Sequence, residues 1–310
     1  MSTLVTKLKA IVNNDNLQKL GILPIYFDLV ETPTALGQGF TITTNGDVLL
    51  KTENAHLTSS SLNDNLGTEA TLNGIGTARY ISNAEGAVAN VMNKYNLQKI
   101  TLRGGALNNS NRGQVKHIHT DISLLEYSPI TMIFATNTSC VGDITKAFHR
   151  NSVIQYAELD DTYVTGDISV FNGKSALKRL YLNYTPVAGD VSGVMALPAL
   201  QELKVGSRGA VGAISGDMAS VSSSSLETLY MMNGAITGSI EFLNNLSALK
   251  SAEMYACTEL TGNIENLRLA STCTKLLFRS NDKITGSKAT CAANNPNCTF
   301  DWAGCSGLSA

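Results

Sequence analysis

The sequence is poor in charge, in aromatic residues and in long apolar runs. Only 15% of its 310 residues are charged and the formal net charge is −2, so it lacks the basic footprint of a duplex-DNA-binding protein. No stretch reaches the ~18–20 apolar residues that a membrane helix needs. Lysines near the N-terminus, and Pro24 and Asp28 farther on, interrupt the segments that would otherwise resemble a secretory signal. We therefore expect a protein made in a cytoplasm that binds no nucleic acid and does not insert into a membrane.

Motifs for catalysis or cofactor binding are also missing. No glycine-rich loop is followed by Lys-Ser/Thr at P-loop spacing, and no nucleophile, base and orienting group form a recognisable set. Asp160 and Asp161 are adjacent, and neighbours on a strand face opposite sides. His117 and His119 form a His-x-His with no third ligand signalled, which favours packing or surface histidines over a metal site. We expect no enzymatic activity, no metal and no cofactor.

The sequence does contain a repeat, built on a glycine, any residue and then an aliphatic residue. A fixed period of this length is typical of a solenoid, in which each unit buries its apolar edge against its neighbours. We attribute one longer unit, of 26 residues, to an insertion at Ser222–Ser225. A degenerate copy at Gly286-Ser287-Lys288 follows the copies Gly142-Asp143-Ile144, Gly166-Asp167-Ile168, Gly189-Asp190-Val191, Gly212-Ala213-Ile214, Gly238-Ser239-Ile240 and Gly262-Asn263-Ile264.

An apolar triplet with the spacing i, i+3, i+5 precedes each glycine and has the same period. Its last two members are two residues apart, so they lie on one face of a short strand. This predicts a stack of parallel strands with an inward apolar row and an outward variable row. The triplets are Leu97, Ile100, Leu102; Ile130, Ile133, Ala135; Ile154, Ala157, Leu159; Leu177, Leu180, Leu182; Leu200, Leu203, Val205; Leu226, Leu229, Met231; Leu249, Ala252, Met254; and Cys273, Leu276, Phe278.

Together these patterns resemble the leucine-rich repeat, L-x-x-L-x-L-x-x-N/C-x-L. The continuation L-T-G-x-I resembles the plant-type subclass and is matched at Ile236-Thr237-Gly238-Ser239-Ile240 and Leu260–Ile264. The polar ladder position is occupied in some units only, by Thr138, Thr162, Thr185, Cys257 and Asn281, whereas Arg208 and Gly234 depart from it. The resemblance implies a curved solenoid whose concave parallel sheet binds another macromolecule.

We therefore predict an α/β-repeat fold in three parts. Residues 1–96 form a small α+β N-terminal capping or docking domain, residues 97–290 the leucine-rich-repeat solenoid, and residues 291–310 a C-terminal cap. Within the first part we predict an amphipathic helix over residues 1–20 and a hairpin over 40–50 with an Asn45-Gly46 turn. A helix should follow a capping box at 82–85 and run to about residue 95.

The cysteines divide into a repeat set and a C-terminal set. Cys140 takes a position that is aliphatic in other units, Cys257 takes the ladder position and Cys273 begins a triplet, so we expect all three to be buried, unreactive thiols. In the C-terminal part, Cys291 and Cys305 have the option of a disulfide in an oxidising setting. Cys298, Phe300 and Trp302 alternate like a final strand.

The outward row of the predicted concave sheet supplies the candidate binding residues. Exposed aromatic residues and methionine among mixed charges resemble the core of a protein interface, although Tyr and Thr also suit any exposed parallel sheet. We expect these outward side chains to have no structural duty, which leaves them available for recognition. The candidate partner-binding residues are Phe134, Glu158, Tyr181, Lys204, Tyr230, Met232, Glu253 and Tyr255.

The composition favours one setting for such a protein. It is rich in Asn, Ser, Thr and Gly, and in composition and organisation alone it resembles virion components of tailed bacteriophages such as head fibres or decoration proteins. We predict a non-enzymatic binding or assembly protein located in a virion, whose partner is a virion or host-surface protein or a surface glycan, with homo-oligomerisation left open. The alternative is a cytoplasmic leucine-rich-repeat adaptor or effector.

Overall fold

The computed structural model describes residues 25–29, 38–42, 47–52, 70–72, 76–83, 86–91, 99–102, 118–119, 121–126, 130–136, 140–207 and 213–310. The chain divides into two compact units, Met1–Thr165 and Gly166–Ala310. The predicted helix over 1–20, the Asn45-Gly46 turn, Thr138, His117 and Arg208 lie outside the described residues. Among the residues that are described, no helix is both long and apolar enough to cross a membrane.

The first unit combines an antiparallel sheet with parallel repeat strands. Its helical turns are the 3-10 helix Ile122–Leu125 and α1 (Ile144–Phe148). Its strands are β1 (Ile25–Leu29), β2 (Gln38–Ile42), β3 (Asp47–Thr52), β4 (Ala70–Leu72), β5 (Gly76–Asn83), β6 (Gly86–Val91), β7 (Lys99–Leu102), β8 (Ile118–His119), β9 (Met132–Phe134), β10 (Val141–Asp143), β11 (Tyr156–Glu158) and β12 (Tyr163–Thr165).

The predicted hairpin near residue 45 is confirmed, whereas the predicted helix after residue 82 is wrong. β2 pairs antiparallel with β3, with Phe40 opposite Leu50, and β3 continues in parallel to β7 and β9. The described residues on either side of positions 84–85 are instead the antiparallel strands β5 and β6, with Asn83 opposite Gly86. Val88 and Val91 are β-branched and Gly86 is a poor helix former, so strand pairing prevails over a local capping signal.

The second unit consists of successive repeats. Its helical turns are the 3-10 helices Ile168–Phe171, Ile240–Asn245 and Ile264–Asn266, together with α2 (Ser192–Met195) and α3 (Lys288–Asn294). Its strands are β13 (Arg179–Asn183), β14 (Gly189–Asp190), β15 (Glu202–Gly206), β16 (Ile214–Asp217), β17 (Thr228–Met232), β18 (Ala235–Thr237), β19 (Ser251–Tyr255), β20 (Gly262–Asn263), β21 (Lys275–Arg279), β22 (Ile284–Ser287), β23 (Thr299–Asp301) and β24 (Leu308–Ser309).

The main sheet of this unit is parallel, in the order β13-β15-β17-β19-β21-β23. The triplet residues form its buried face, and every triplet member from Ile130 to Phe278 is at most 1% exposed. Leu180, Leu203 and Leu229 are register partners on successive strands. This stacked aliphatic core, with one strand contributed by each repeat, is the leucine-rich-repeat solenoid that the sequence predicts.

The residue after each repeat glycine has a defined role. The motif is therefore more specific than the predicted pattern of a glycine, any residue and an aliphatic residue. The side chain of this residue accepts a hydrogen bond from a backbone N–H two or three residues on, as Asp167 does from Ser169 N at 2.8 Å, and in most repeats this bond caps the helical turn that follows. The residues that follow a repeat glycine and accept such a bond are Asp143, Asp167, Asp190, Asp217, Ser239, Asn263 and Ser287, and Asp121, which follows a threonine, accepts the same bond. A capping side chain also lies against the glycine of the next repeat, as Asp167 does against Gly189.

One glycine of the predicted repeat is assigned wrongly. The structure gives the capping role to Asp217 and the motif position to Gly216, whose carbonyl accepts a hydrogen bond from the Thr237 hydroxyl at 3.3 Å. Thr261 makes the equivalent bond to Gly238 at 3.0 Å. Ile214 therefore precedes the glycine as the buried aliphatic residue, the place that Cys140, Val164, Val187 and Ile236 hold elsewhere.

This shift relocates the insertion in the long repeat. Gly189 comes six positions after the end of β13 at Asn183, but Gly216 comes ten positions after the end of β15 at Gly206. The distance from Gly216 to the next triplet residue, Leu226, is ten residues, against eleven between Gly189 and Leu200. The extra residues thus precede Gly216, and Ser222–Ser225 is not an insertion.

Cys140 and Cys257 are buried within the repeats, as predicted. Each is 0% exposed, and burial raises the pKa of the Cys257 thiol to about 11 despite a backbone hydrogen bond at Gly234 that acts to lower it. Because the thiolate is the reactive form, we expect native-state alkylation with iodoacetamide followed by mass spectrometry to leave both thiols unmodified. Labelling as fast as in the unfolded chain would contradict this packing.

Candidate protein-binding surface

The strand register brings the predicted residues of the second unit together on one face of the main sheet. Tyr181, Lys204, Tyr230 and Glu253 are successive register partners, and Met232 lies opposite Tyr255 in the neighbouring row. We call these six residues the aromatic face. Their side chains alternate with the buried triplet residues, and each is half-buried. Neighbouring strands are ~4.8 Å apart, so the aromatic face spans roughly 15 Å across the strands.

The two remaining candidates, Phe134 and Glu158, lie in the first unit. They are register partners on β9 and β11 and are also half-buried. The ring of Phe134 lies 6.2 Å from that of Tyr156, a neighbour that the sequence reasoning did not include.

Tyr181 is held by charged residues on both sides. Its hydroxyl donates a hydrogen bond to Glu202, whose other carboxylate oxygen is 2.7 Å from Arg179 Nη2. Burial acts to raise the pKa of Glu202, but the hydrogen bonds from Tyr181 and Arg179 outweigh it and the pKa is lowered. Lys204 Nζ lies over the Tyr181 ring, 4.0 Å from its centroid, in cation–π geometry.

Tyr230 and Tyr255 form the other half of the aromatic face. Their ring centroids are 5.5 Å apart with a 38° tilt, within the usual range for an aromatic pair. The Tyr230 hydroxyl lies 3.6 Å from the Met232 sulfur, and the Tyr255 hydroxyl donates to Glu253 at 3.0 Å. Burial, followed by a hydrogen bond with Tyr184, raises the pKa of Tyr230. Burial and the hydrogen bond to Glu253 also raise the pKa of Tyr255, so both phenols are neutral at physiological pH.

Ion pairs between strands surround the aromatic face. Arg179 pairs with Glu202, Lys250 with Glu227 at 2.6 Å, Lys275 with Glu253, and Arg279 with Asp301. The expectation that the outward side chains have no structural duty is therefore wrong for most of this surface, because they pair across strands. In contrast, Lys204 forms no ion pair within 4.0 Å with another described residue; its ammonium lies over the Tyr181 ring and is close enough to Glu202 to help lower the pKa of that carboxyl.

Arg179, Glu202 and Asp301 belong to this surface but escaped the sequence reasoning. Arg179 lies two residues before Tyr181 on the same strand, and Glu202 two residues before Lys204. The period-2 rule that selected the central row therefore predicts their orientation as well. The sequence does not show which carboxylate pairs with each arginine or lysine, because the pairing depends on side-chain conformation.

Among the described residues, no cluster of metal-ligating side chains accompanies the aromatic face. Within the part of the chain that the structure describes, no group of three or more His, Cys, Asp or Glu side chains is placed to hold a metal ion. His149 is exposed, and its Nδ1 lies 3.1 Å from the Lys146 carbonyl oxygen. The side chains of the aromatic face can make apolar contacts, aromatic stacking contacts and hydrogen bonds with a partner.

Comparison with known proteins finds similarity only among solved structures, since no family model and no curated protein matches the chain. It is similar to internalin C2 from Listeria monocytogenes str. 4b F2365, at 16% identity over 74% of this chain and 80% of that one, with a TM-score of 0.35. An internalin, inlF, from the same organism gives 16% identity over 70% and 76%, with a TM-score of 0.29. The plant peptide hormone receptor RGFR1, solved in complex with RGF2, gives 17% identity over 64% and 40%, with a TM-score of 0.34. Similarities this weak assign neither a family nor a function to the chain.

Proposed function

We propose that the chain is a non-enzymatic protein-binding protein that recognises its partner with the aromatic face. The observation that carries this proposal is the juxtaposition of Tyr181, Tyr230 and Tyr255 on register-matched strands, half-exposed and beside Met232. Tyrosine and methionine are enriched at the cores of protein interfaces, and tyrosines dominate binding hot spots.

The surrounding ion pairs support the same function. Because Arg179–Glu202 and Lys275–Glu253 fix their side chains across strands, less conformational entropy is lost when a partner docks. The paired charges form a polar rim around an aromatic centre, which is the usual anatomy of a non-obligate interface.

Truncation of two tyrosines tests this function. We expect Tyr181→Ala combined with Tyr230→Ala to weaken partner binding by at least about 30-fold, since hot-spot tyrosines commonly contribute ~2 kcal/mol or more. The variant loses cross-strand contacts of only ~0.2–1 kcal/mol each, so circular dichroism should show a Tm within a few degrees of the wild type. The measurement is quantitative mass spectrometry of proteins captured by the tagged full chain.

The matched control is Tyr163→Ala, because Tyr163 is 46% exposed but lies on β12, outside the main sheet. A specific partner is captured by the wild type and by this control, and lost from the double variant. If the double variant captures the same partner as strongly as the wild type while deletion of residues 1–96 abolishes capture, the binding site lies in the N-terminal region and the proposal fails.

For the setting, we propose a virion component of a tailed bacteriophage, such as a head fibre or decoration protein. Its support is compositional: a low charge content and abundant Asn, Ser, Thr and Gly in a repeat protein. Mass spectrometry of purified particles from the source of the sequence tests it, because a virion component is retained through particle purification. Recovery of the chain only in the cytoplasmic fraction would favour the adaptor or effector alternative.

A further inference from the structure

Two cysteines from successive repeats lie side by side near the C-terminus. The Sγ atoms of Cys273 and Cys298 are 3.9 Å apart. The C-terminal pair considered from the sequence is not formed: Cys291 Sγ lies near Asn295 Nδ2 and Cys305 Sγ near the Phe278 carbonyl oxygen, and the described cysteines contain no disulfide.

The backbone around this pair has a geometry that a disulfide fits. Lys275 is the register partner of Thr299 on β21 and β23, and Thr299 N donates to the Thr274 carbonyl oxygen at 2.9 Å. Cys298 is therefore a neighbour of Thr274, and Cys273 is offset from it by one residue. With strands ~4.8 Å apart and ~3.3 Å between residues, the Cα atoms are roughly 6 Å apart, within the range of natural disulfides.

The two thiols differ in accessibility and in ionisation. The sequence predicts that Cys273 is buried and unreactive: it is buried, at 1% exposed, but the half-buried Cys298 beside it gives it a reaction partner. The contact with the Cys298 sulfur outweighs burial and lowers the pKa of Cys273, while the same contact, together with burial, raises the pKa of Cys298. Accessibility, not ionisation, therefore assigns the first attack to Cys298, and Cys273, which ionises more readily, lies close enough to resolve the resulting mixed disulfide.

We propose that Cys273 and Cys298 form a site of reversible thiol–disulfide exchange with small disulfides such as glutathione disulfide. In the first step the Cys298 thiolate attacks glutathione disulfide, forming a mixed disulfide and releasing one glutathione thiolate. In the second step the Cys273 thiolate attacks the Cys298 sulfur, forming the Cys273–Cys298 bond and releasing the second glutathione. Two electrons pass from the protein to glutathione disulfide, and the two thiol protons end on the two glutathione molecules.

The bond would connect the triplet of the last full repeat to the strand that covers it. Phe300 and Trp302 belong to this covering segment, and Trp302 stacks on Phe278 at 5.5 Å and on Phe300 at 5.2 Å. The bond closes a loop of about 25 residues, which disfavours the unfolded chain. We expect the oxidised protein to melt about 2 °C or more above the reduced protein.

The test is to incubate the full chain with glutathione disulfide and to map its peptides by mass spectrometry under non-reducing conditions. We expect a Cys273–Cys298 linked peptide that dithiothreitol removes, accompanied by the rise in Tm. The variant Cys298→Ser, which changes the half-buried residue and so keeps the core intact, should yield no linked peptide. The control Cys291→Ala removes a buried cysteine outside the pair and should leave the Cys273–Cys298 link unchanged.

Two results would overturn the proposal. One is a stable glutathione adduct at Cys298 with Cys273 still reduced, because Cys273 would then not act as the resolving thiol. The other is a link of Cys298 to Cys291, or of Cys291 to Cys305, in the folded protein. Neither result affects the proposed binding function, because the aromatic face contains no cysteine.

Discussion

Gly189→Ala is expected to lower the free energy of unfolding by about 2–5 kcal/mol, since it combines a left-handed backbone penalty with overpacking. Gly189 has φ +108°, and a Cβ atom there would overlap the carboxylate of Asp167 from the preceding repeat. That carboxylate cannot move freely, because it caps the turn at Ser169. Urea denaturation followed by circular dichroism gives the measurement.

Gly173→Ala is the matched control for this prediction. Gly173 also has a positive φ, +76°, but no atom lies within 4 Å of the position of its Cβ. Its loss should be limited to the backbone term of about 1–2 kcal/mol. Equal losses for the two variants would show that the contact between capping residue and glycine does not hold the repeats together.

Leu203→Ala should cost about 2–5 kcal/mol, the usual range for a buried leucine truncated in a core that relaxes only partly. Leu203 is 0% exposed and lies between its register partners Leu180 and Leu229. Leu180→Ala should have a similar effect, because Leu180 is also 0% exposed and is the register partner of Leu203. Each variant removes one side chain from a column that is continuous through the repeats.

The adjacent residue provides the control, since Lys204 faces the other side of the same strand. Lys204→Ala loses only the contact with the Tyr181 ring, worth about 0.5–1 kcal/mol at an exposed site. Losses below about 1 kcal/mol for both leucine variants would mean that the triplets are not the core, and the solenoid interpretation would fail.

The repeat was readable from the sequence because its two signals arise from different physical constraints. The triplets reflect burial, and the structure confirms each of them from Ile130 to Phe278. The glycines reflect backbone conformation and close packing, and here the sequence misled at Gly212. A glycine followed by an aliphatic residue matched the pattern, whereas Gly216-Asp217 carries the cap that the structure uses.

The local helix signal in the sequence failed where strand pairing decides the structure. The capping-box pattern at 82–85 predicted a helix, but β5 and β6 pair with each other and β6 pairs with β1. For the candidate surface, the period-2 rule placed Tyr181, Tyr230 and Tyr255 correctly on the outward rows. It did not predict the ion pairs around them, because these depend on side-chain conformations across strands. The domain boundaries at 96 and 290 and the binding role itself remain predictions.

Site-specific photocrosslinking tests the central claim, that the partner docks on the aromatic face, most directly. A benzophenone amino acid at Thr228, which lies half-buried at the edge of this face on β17, reports contact there. The same amino acid at the exposed Asn172, just after the 3-10 helix Ile168–Phe171, reports contact at the helical side of the repeats. We predict that irradiation in the source cells or particles gives a covalent partner adduct from position 228 and none from position 172. An adduct from position 172 alone would contradict the account.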